Sequence, residues 1–313
     1  MGQNTHDLRV WTALATVYIV WGSTYLGIMI AIESIPPLYS GAMRFLVAAP
    51  LLALGLLWRR GRGAFAMNRR EFLGAALVGV LLLTGGNGLV SVAEQHISSG
   101  LAALLVASVP LWLVLFRLLV RDRPQVLTLA GVLVGFGGVA ALSLTGSEGG
   151  SSTTGVVVIL IASLSWSIGS FLSARLPMPK DPFAASSVEM LAGGAALVVV
   201  AMAAGEHLDV AQITGRSWAG LGYLILVGSL VGFTSYVWLL GNAPISLVST
   251  YAYVNPVVAV ILGIVVLGET ATTSMLLGGL VIIVGVALVV STERRGSRTP
   301  RRQEPVPETA PSG

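Results

Sequence analysis

Residues 99–119 read SGLAALLVASVPLWLVLFRLL, an uninterrupted apolar run whose one charge, Arg117, sits near its end. A helix crossing a hydrocarbon core needs ~20 predominantly apolar residues, and this run has that length. Nine other runs share the pattern: 11–31, 38–58, 72–92 and 126–144, then 155–174, 184–204, 219–239, 247–268 and 274–291. Together they predict an all-α membrane protein of ten transmembrane helices. Strands of a membrane barrel would instead alternate every second residue over ~10-residue segments.

Composition points the same way. Of 313 residues, 10% are charged and 55% hydrophobic, with a mean hydropathy of +0.85. An ordinary soluble domain is about 25% charged. So few charges disfavour a soluble enzyme, a nucleic-acid-binding module, a secreted disulfide scaffold and a disordered chain. The chain has no cysteine, so disulfides, iron–sulfur clusters and thiolate nucleophiles are ruled out. His6, His96 and His207 are too far apart for a local metal motif, and no cofactor is expected. The first run is too long for a signal-peptide core and is followed by nine more.

The basic residues orient the chain. With the N-terminus in the cytoplasm, inside segments hold Arg9; Arg59, Arg60, Arg62, Arg69 and Arg70; Arg117, Arg121 and Arg123; Arg175 and Lys180; and Arg294, Arg295, Arg298, Arg301 and Arg302. Only Arg216 is outside, and Arg44 lies within a span. This asymmetry explains the net charge of +4 without invoking nucleic acid. It predicts both termini inside and an even number of helices. The segment 292–313, rich in Arg, Pro, Glu and Ser, reads as a disordered cytoplasmic tail.

Two halves, 11–144 and 155–291, correspond in order. Trp21 matches Trp166 and Pro37 matches Pro182, both at an offset of 145. Pro110 matches Pro256 at 146, Asp122 matches Glu269 at 147, and Gly131 and Gly137 match Gly279 and Gly285 at 148. Five helices per half is an odd number, so the second half enters the membrane upside down. An inverted five-plus-five repeat is a recurrent plan of secondary transporters.

Trp21-Gly22-Ser23, Pro37 with Arg44-Phe45, Pro110, Gly268-Glu269-Thr270 and Gly278-Gly279 together resemble the EamA-type drug/metabolite transporters, over roughly residues 11–291. The resemblance implies ten helices, export or exchange of small metabolites, and a central cavity ringed by helices one to four and six to nine. It places helices five and ten at the periphery. The chain departs from the pattern at Asp122-Arg123-Pro124, where a Gly-Glu pair is usual, at Trp166-Ser167, and at Glu189, which stands where symmetry would repeat Arg44.

Polar side chains in hydrocarbon are costly and mark cavities or helix contacts. In the third span, Thr84, Asn87, Ser91 and Glu94 follow spacings of 3, 4 and 3, which predicts a single helical face. Trp21 and Tyr25 in the first span, Trp166 and Ser170 in the sixth, Trp238 in the eighth, and Tyr251 and Asn255 in the ninth complete the expected cavity lining. Each has a plainer reading as helix packing. Pro110 and Pro256 are expected to kink the fourth and ninth helices by removing a backbone donor. Arg44, Glu94 and Glu189 are candidates for gating or coupling. Arg44 and Glu189 are ~12 Å apart in depth by helical rise, which argues against a direct pair; Arg44 is expected to snorkel outward. Glycines without polar partners predict that the fifth and tenth helices serve packing.

These features predict a secondary transporter of the bacterial inner membrane, with small-molecule substrate and lipid as partners and no nucleic acid. An exporter of a neutral or zwitterionic, amino-acid-like metabolite working by alternating access fits best. An exporter of uncharged drugs or toxic compounds is the alternative. An intramembrane enzyme is disfavoured, because no span carries paired aspartates or a mid-membrane histidine. A non-transporting scaffold is a further class. The sequence leaves monomer and homodimer equally open.

Overall fold

The structure is a computed structural model that describes residues 2–121, 124–145, 152–243, 245–248 and 250–296. Regular structure among these residues is entirely helical. Backbone polar groups in lipid find no water and must bond within the segment, and uninterrupted apolar runs meet that demand as helices. Nine helices are long and apolar enough to span: α1 (Leu8–Ala31), α2 (Pro37–Arg60), α3 (Arg69–Ala93), α4 (Ser99–Leu119), α5 (Val126–Ser143), α6 (Thr153–Ser173), α7 (Pro182–Ala203), α8 (Gly215–Leu239) and α10 (Thr273–Thr292). Between the last two lies the shorter apolar helix α9, Tyr251–Leu267. Large apolar side chains such as Trp58, Leu133 and Val265 are exposed on the outside of the bundle, whereas Ser40, Arg44, Ser91 and Glu94 are buried inside it. That polarity is the reverse of a water-soluble fold and marks a multi-pass membrane protein.

The halves run in opposite directions, as five helices each requires. Corresponding helices α2 and α7 are antiparallel, since opposite ends meet at both faces. Arg60 at the end of α2 pairs with Asp181, which caps the start of α7. At the other face Glu206, just past α7, accepts the N–H groups of Leu38 and Tyr39 at 3.2 Å each. Likewise Glu269, just past α9, accepts the N–H of Ser99 at 2.8 Å and of Gly100 at 3.2 Å, at the start of α4. The first N–H groups of a helix have no intrahelical partner, and a carboxylate there also meets the positive end of the helix dipole. Gly268 makes the second clamp possible. Its φ of 67° ends α9 in the left-handed region, where glycine is at ease, and turns Glu269 toward α4. Arg121 repeats this geometry in the first half with φ 61°, at the same offset of 147 that relates Asp122 to Glu269.

Helices α5 and α10 pack on each other along glycines. A Cβ on Gly138 would lie 3.0 Å from the Gly278 carbonyl oxygen, one on Gly131 3.0 Å from that of Gly285, and one on Gly285 2.5 Å from the Gly135 Cα. A Thr128–Thr292 hydroxyl bond of 2.8 Å closes one end of the pair.

Several expectations need correction. The run 247–268 is not one helix: Ile245–Val248 forms a short helix of its own, and α9 begins at Tyr251. Pro110 does break its helix, because α4 splits into Ser99–Val106 and Val109–Leu119 with Pro110 in the first turn of the second piece. Pro256 lies inside continuous α9, so no interruption follows at the equivalent point. The interruption comes earlier, at Thr250. The tenth helix continues to Gly296, into the segment assigned to the tail; residues 297–313 lie outside the described residues.

The α5–α10 contact yields a paired prediction. Gly285→Ala forces backbones apart and is expected to cost about 1–3 kcal/mol, as overpacking does. Gly137→Ala meets nothing within 4 Å and should be neutral or stabilising by up to about 1 kcal/mol. Thermal unfolding of the detergent-solubilised variants measures both; equal effects would contradict the packing.

Candidate functional site

A buried arginine organises the centre of the bundle. Arg44 on α2 is 7% exposed. Its Nε donates to Ser229 Oγ on α8 at 2.9 Å, and its Nη1 donates to Asn87 Oδ1 on α3 at 3.4 Å. It therefore points into the bundle instead of snorkelling to the surface. The reason is local: both acceptors sit on distorted helix turns. Val80–Gly88 of α3 and Leu224–Val231 of α8 are π-helical. They begin at related positions of the two halves, 144 residues apart. A π turn carries one extra residue, shifts the register of the side chains after it, and recurs at functional sites.

The same distortion explains why the polar residues of α3 do not form one lining face. Thr84 donates to the Gly193 carbonyl on α7 at 2.9 Å. Asn87 turns to Arg44, and Ser91 donates back to the Asn87 carbonyl at 3.2 Å. Glu94 is buried beyond the end of α3.

Aromatic rings lie one turn further along α8. Positions Gly228 and Gly232 are one turn apart on α8; a Cβ at the first would meet Arg44 Nη2 at 3.4 Å, and at the second Trp21 Nε1 at 2.7 Å. Arg44 and Trp21 thus neighbour each other along α8. Trp21 packs on Tyr236 at 4.9 Å and edge-on to Tyr251 at 5.2 Å between centroids. Tyr18 bonds the Thr250 hydroxyl at the start of α9. One turn beyond Tyr251, Asn255 has a buried Oδ1 without a partner, and its carbonyl lies against Gly22 of α1. Trp166 of α6 reaches the π turn of α3 from the other side, at Gly86.

Of the residues expected from sequence, the structure brings together Trp21, Arg44, Asn87, Tyr251 and Asn255, with Trp166 adjoining. Tyr25 is close enough to both Tyr251 and Glu94 to interact electrostatically. Trp238 packs with the cluster of Val10, Leu14 and Leu239 where α1 begins. Ser170 is half-buried on α6, where its carbonyl accepts the Ser173 hydroxyl at 2.8 Å. Glu189 backs onto Gly79 of α3 and is not bonded to Arg44. Ser229 and Tyr236 were missed by the sequence reading, because Ser229 lies in a π turn and its spacing to Tyr236 crosses that shift of register. Glu206 was also missed, although Gly205-Glu206 repeats the pattern of Gly268-Glu269.

No acidic side chain pairs with Arg44 among the described residues. The arrangement can receive an anionic group at the guanidinium and an apolar or cationic group against the three rings.

Known proteins share this plan. A family model described as the EamA-like transporter family matches residues 10–144 and 153–291. A protein of Escherichia coli K12 named as an uncharacterized inner membrane transporter, YedA, is 41% identical over 284 residues, covering 90% of each chain. An uncharacterized transporter of Archaeoglobus fulgidus is 26% identical, covering 94% of this chain and 100% of its own. A crystal structure superposes with a TM-score of 0.62 at 20% identity, over 94% of this chain and 100% of that one, which reports on the fold alone.

The hydrogen bond from Arg44 to Ser229 gives a prediction. Ser229→Ala leaves a buried guanidinium short of an acceptor and is expected to lower stability by about 1.5–3 kcal/mol, the range for bonds to charged groups. Unfolding in detergent measures it; wild-type stability would mean the bond contributes nothing.

Proposed function

The chain belongs to the EamA-like transporter family, and we propose that it is a secondary transporter for a small zwitterionic metabolite of the amino-acid type. The observation that carries this reading is Arg44: a buried cation with two neutral hydrogen-bond partners and no anion among the described residues. A solute carboxylate supplies the missing charge and can bond the rest of the guanidinium fork in two-pronged fashion. The Trp21, Tyr236 and Tyr251 rings favour an ammonium or an apolar side chain at the other end of the solute. One arginine suits a single carboxylate better than the multiple charge of a sugar phosphate.

Inversion of the halves supports alternating access. Gly205-Glu206 and Gly268-Glu269 bolt helices together at one face, and Arg60–Asp181 does so at the other. Breaking one set while the other holds would expose the Arg44 region to each side in turn. We assign the protein to the inner membrane, in keeping with the name of its 41%-identical relative. The basic residues place the Arg60–Asp181 face in the cytoplasm with both termini, and the Gly-Glu clamps outside. Export is the direction we favour.

Two experiments test the reading. In liposomes holding the purified chain, counterflow of labelled neutral amino acids is expected for the solute carried. Asn87→Ala should weaken its apparent affinity roughly 2- to 12-fold, the equivalent of a bond worth about 0.5–1.5 kcal/mol. Unchanged affinity with reduced thermal stability would make Asn87 helix packing only. For orientation, Ala64→Cys in this cysteine-free chain should resist an impermeant thiol reagent on intact cells; labelling from outside would reverse the topology.

A further inference from the structure

Glu94 is not used by the central site, yet its placement is unusual. The residue is 2% exposed, and both carboxyl oxygens are buried without a hydrogen-bond partner. Leaving an ionised carboxylate in that state is expensive, whereas a protonated one has no net charge to solvate. Five residues on, α4 begins at Ser99, and there Glu269 from the end of α9 accepts the Ser99 and Gly100 N–H groups with its two oxygens. Ser99 Oγ is fully buried and also lacks a partner. A Cβ built on Gly263 of α9 would lie 2.9 Å from both Ser99 Oγ and the Glu269 carboxyl carbon, so the hydroxyl and the carboxylate face one gap against α9.

Among the described residues, Glu94 has no salt-bridge partner. Helix α6, the first segment of α4 (Ser99–Val106) and α10 to Thr292 carry no ionisable side chain. Helix α1 contributes Tyr25, and α9 carries Tyr251 and Tyr253. Helix α2 carries Tyr39, Arg44, which is held by Ser229 and Asn87, and Arg59 and Arg60 in its last turn, at the opposite end from the Glu206 cap. His96, two residues beyond Glu94, is exposed. Burial, followed by the charge of Glu269, pushes the Glu94 carboxyl above the usual carboxylate range.

We propose that Glu94 is a proton-binding site that seals the ends of α3, α4 and α9 against one another. With the proton bound, Glu94 is neutral and these ends pack as observed. When the carboxylic acid releases its proton to water, Glu94 and Glu269 carry like charge at the same end of the bundle, and their repulsion, together with hydration of Glu94, moves the end of α9 away from the α3–α4 turn. The exchange involves one proton and no other atom. A proton suits the site better than a metal cation, because Glu269 is already committed to amide N–H groups and a hard cation needs six or more oxygens. The site stands whatever solute is carried.

The sign of the pH effect follows. A carboxyl raised in the packed form favours that form fully at low pH, and the contribution is lost as pH rises through the raised value. The test uses the full chain in lipid bilayers with no solute. Gln95→Cys and Thr270→Cys, both at exposed positions, take spin labels on the α3 and α9 ends. Their separation is expected to lengthen as pH rises from about 6 to about 9 and to stay short in Glu94→Gln, which mimics the protonated state. Infrared difference spectra of wild type minus Glu94→Gln should show a protonated carboxyl at about pH 6. In Glu269→Gln that band should vanish at lower pH than in wild type, since the repelling charge is gone. The same lengthening in Glu94→Gln, or an ionised Glu94 at about pH 6, would overturn the proposal. Closure at high pH on adding sodium chloride would overturn the proton as ligand.

Discussion

An arginine buried within the bundle, with no acidic partner among the described residues, is the constraint around which this protein is arranged. A cation in the hydrocarbon region costs several kcal/mol unless it reaches water or finds acceptors. Arg44 finds them on Ser229 of α8 and Asn87 of α3. Both lie in π-helical turns, each placed to present an oxygen to the guanidinium. Helices α2, α3 and α8, from two halves of the chain, thus meet at one side chain, and Trp21, which packs on Tyr236 and Tyr251, meets α8 one turn further on. The local irregularities of the fold gather where the charge is.

Elsewhere the bundle is held by interactions that join one half to the other. Glu206 caps α2 from α7, Glu269 caps α4 from α9, and Asp181 caps α7 while pairing with Arg60 of α2. Lipid offers helices no hydrophobic drive to associate, so capping of ends and close glycine contacts carry more of that burden. The glycine seam between α5 and α10 is permanent in character, because backbone meets backbone there. The carboxylate clamps are different. They sit at the faces, each trades with water at modest cost, and breaking them leaves the helices intact. One helix pair is thus joined backbone to backbone, while other helices are joined at their ends by carboxylates.

Much of this was legible in the sequence. Run length and low charge dictated the ten helices, and an odd number of spans per half dictated the inversion that α2 and α7 display. The prolines sit differently in the two halves: Pro110 lies in the first turn of the second piece of α4, whereas Pro256 lies within α9 without ending it. The polar spacing in α3 misled, since a 3.6-residue period does not survive a π turn, and nothing in VLLLTGGNG announces one. Arg44 was misjudged for a related reason. Depth alone allowed it to reach the surface, but its acceptors are 43 and 185 residues away in the chain, and spacing rules see only neighbours. The carboxylate clamps were hidden similarly, although two Gly-Glu pairs in one half hinted at a shared task.

The central claim is that Arg44 receives the carboxylate of a carried solute. Direct binding to the purified, detergent-solubilised chain tests it most plainly, using a neutral amino acid, its amide and its decarboxylated amine. The account predicts saturable binding of the carboxylate-bearing compound, no binding of either derivative, and loss of the acid's binding in Arg44→Gln with the protein still folded. Equal binding of acid, amide and amine, or full binding by Arg44→Gln, would contradict it.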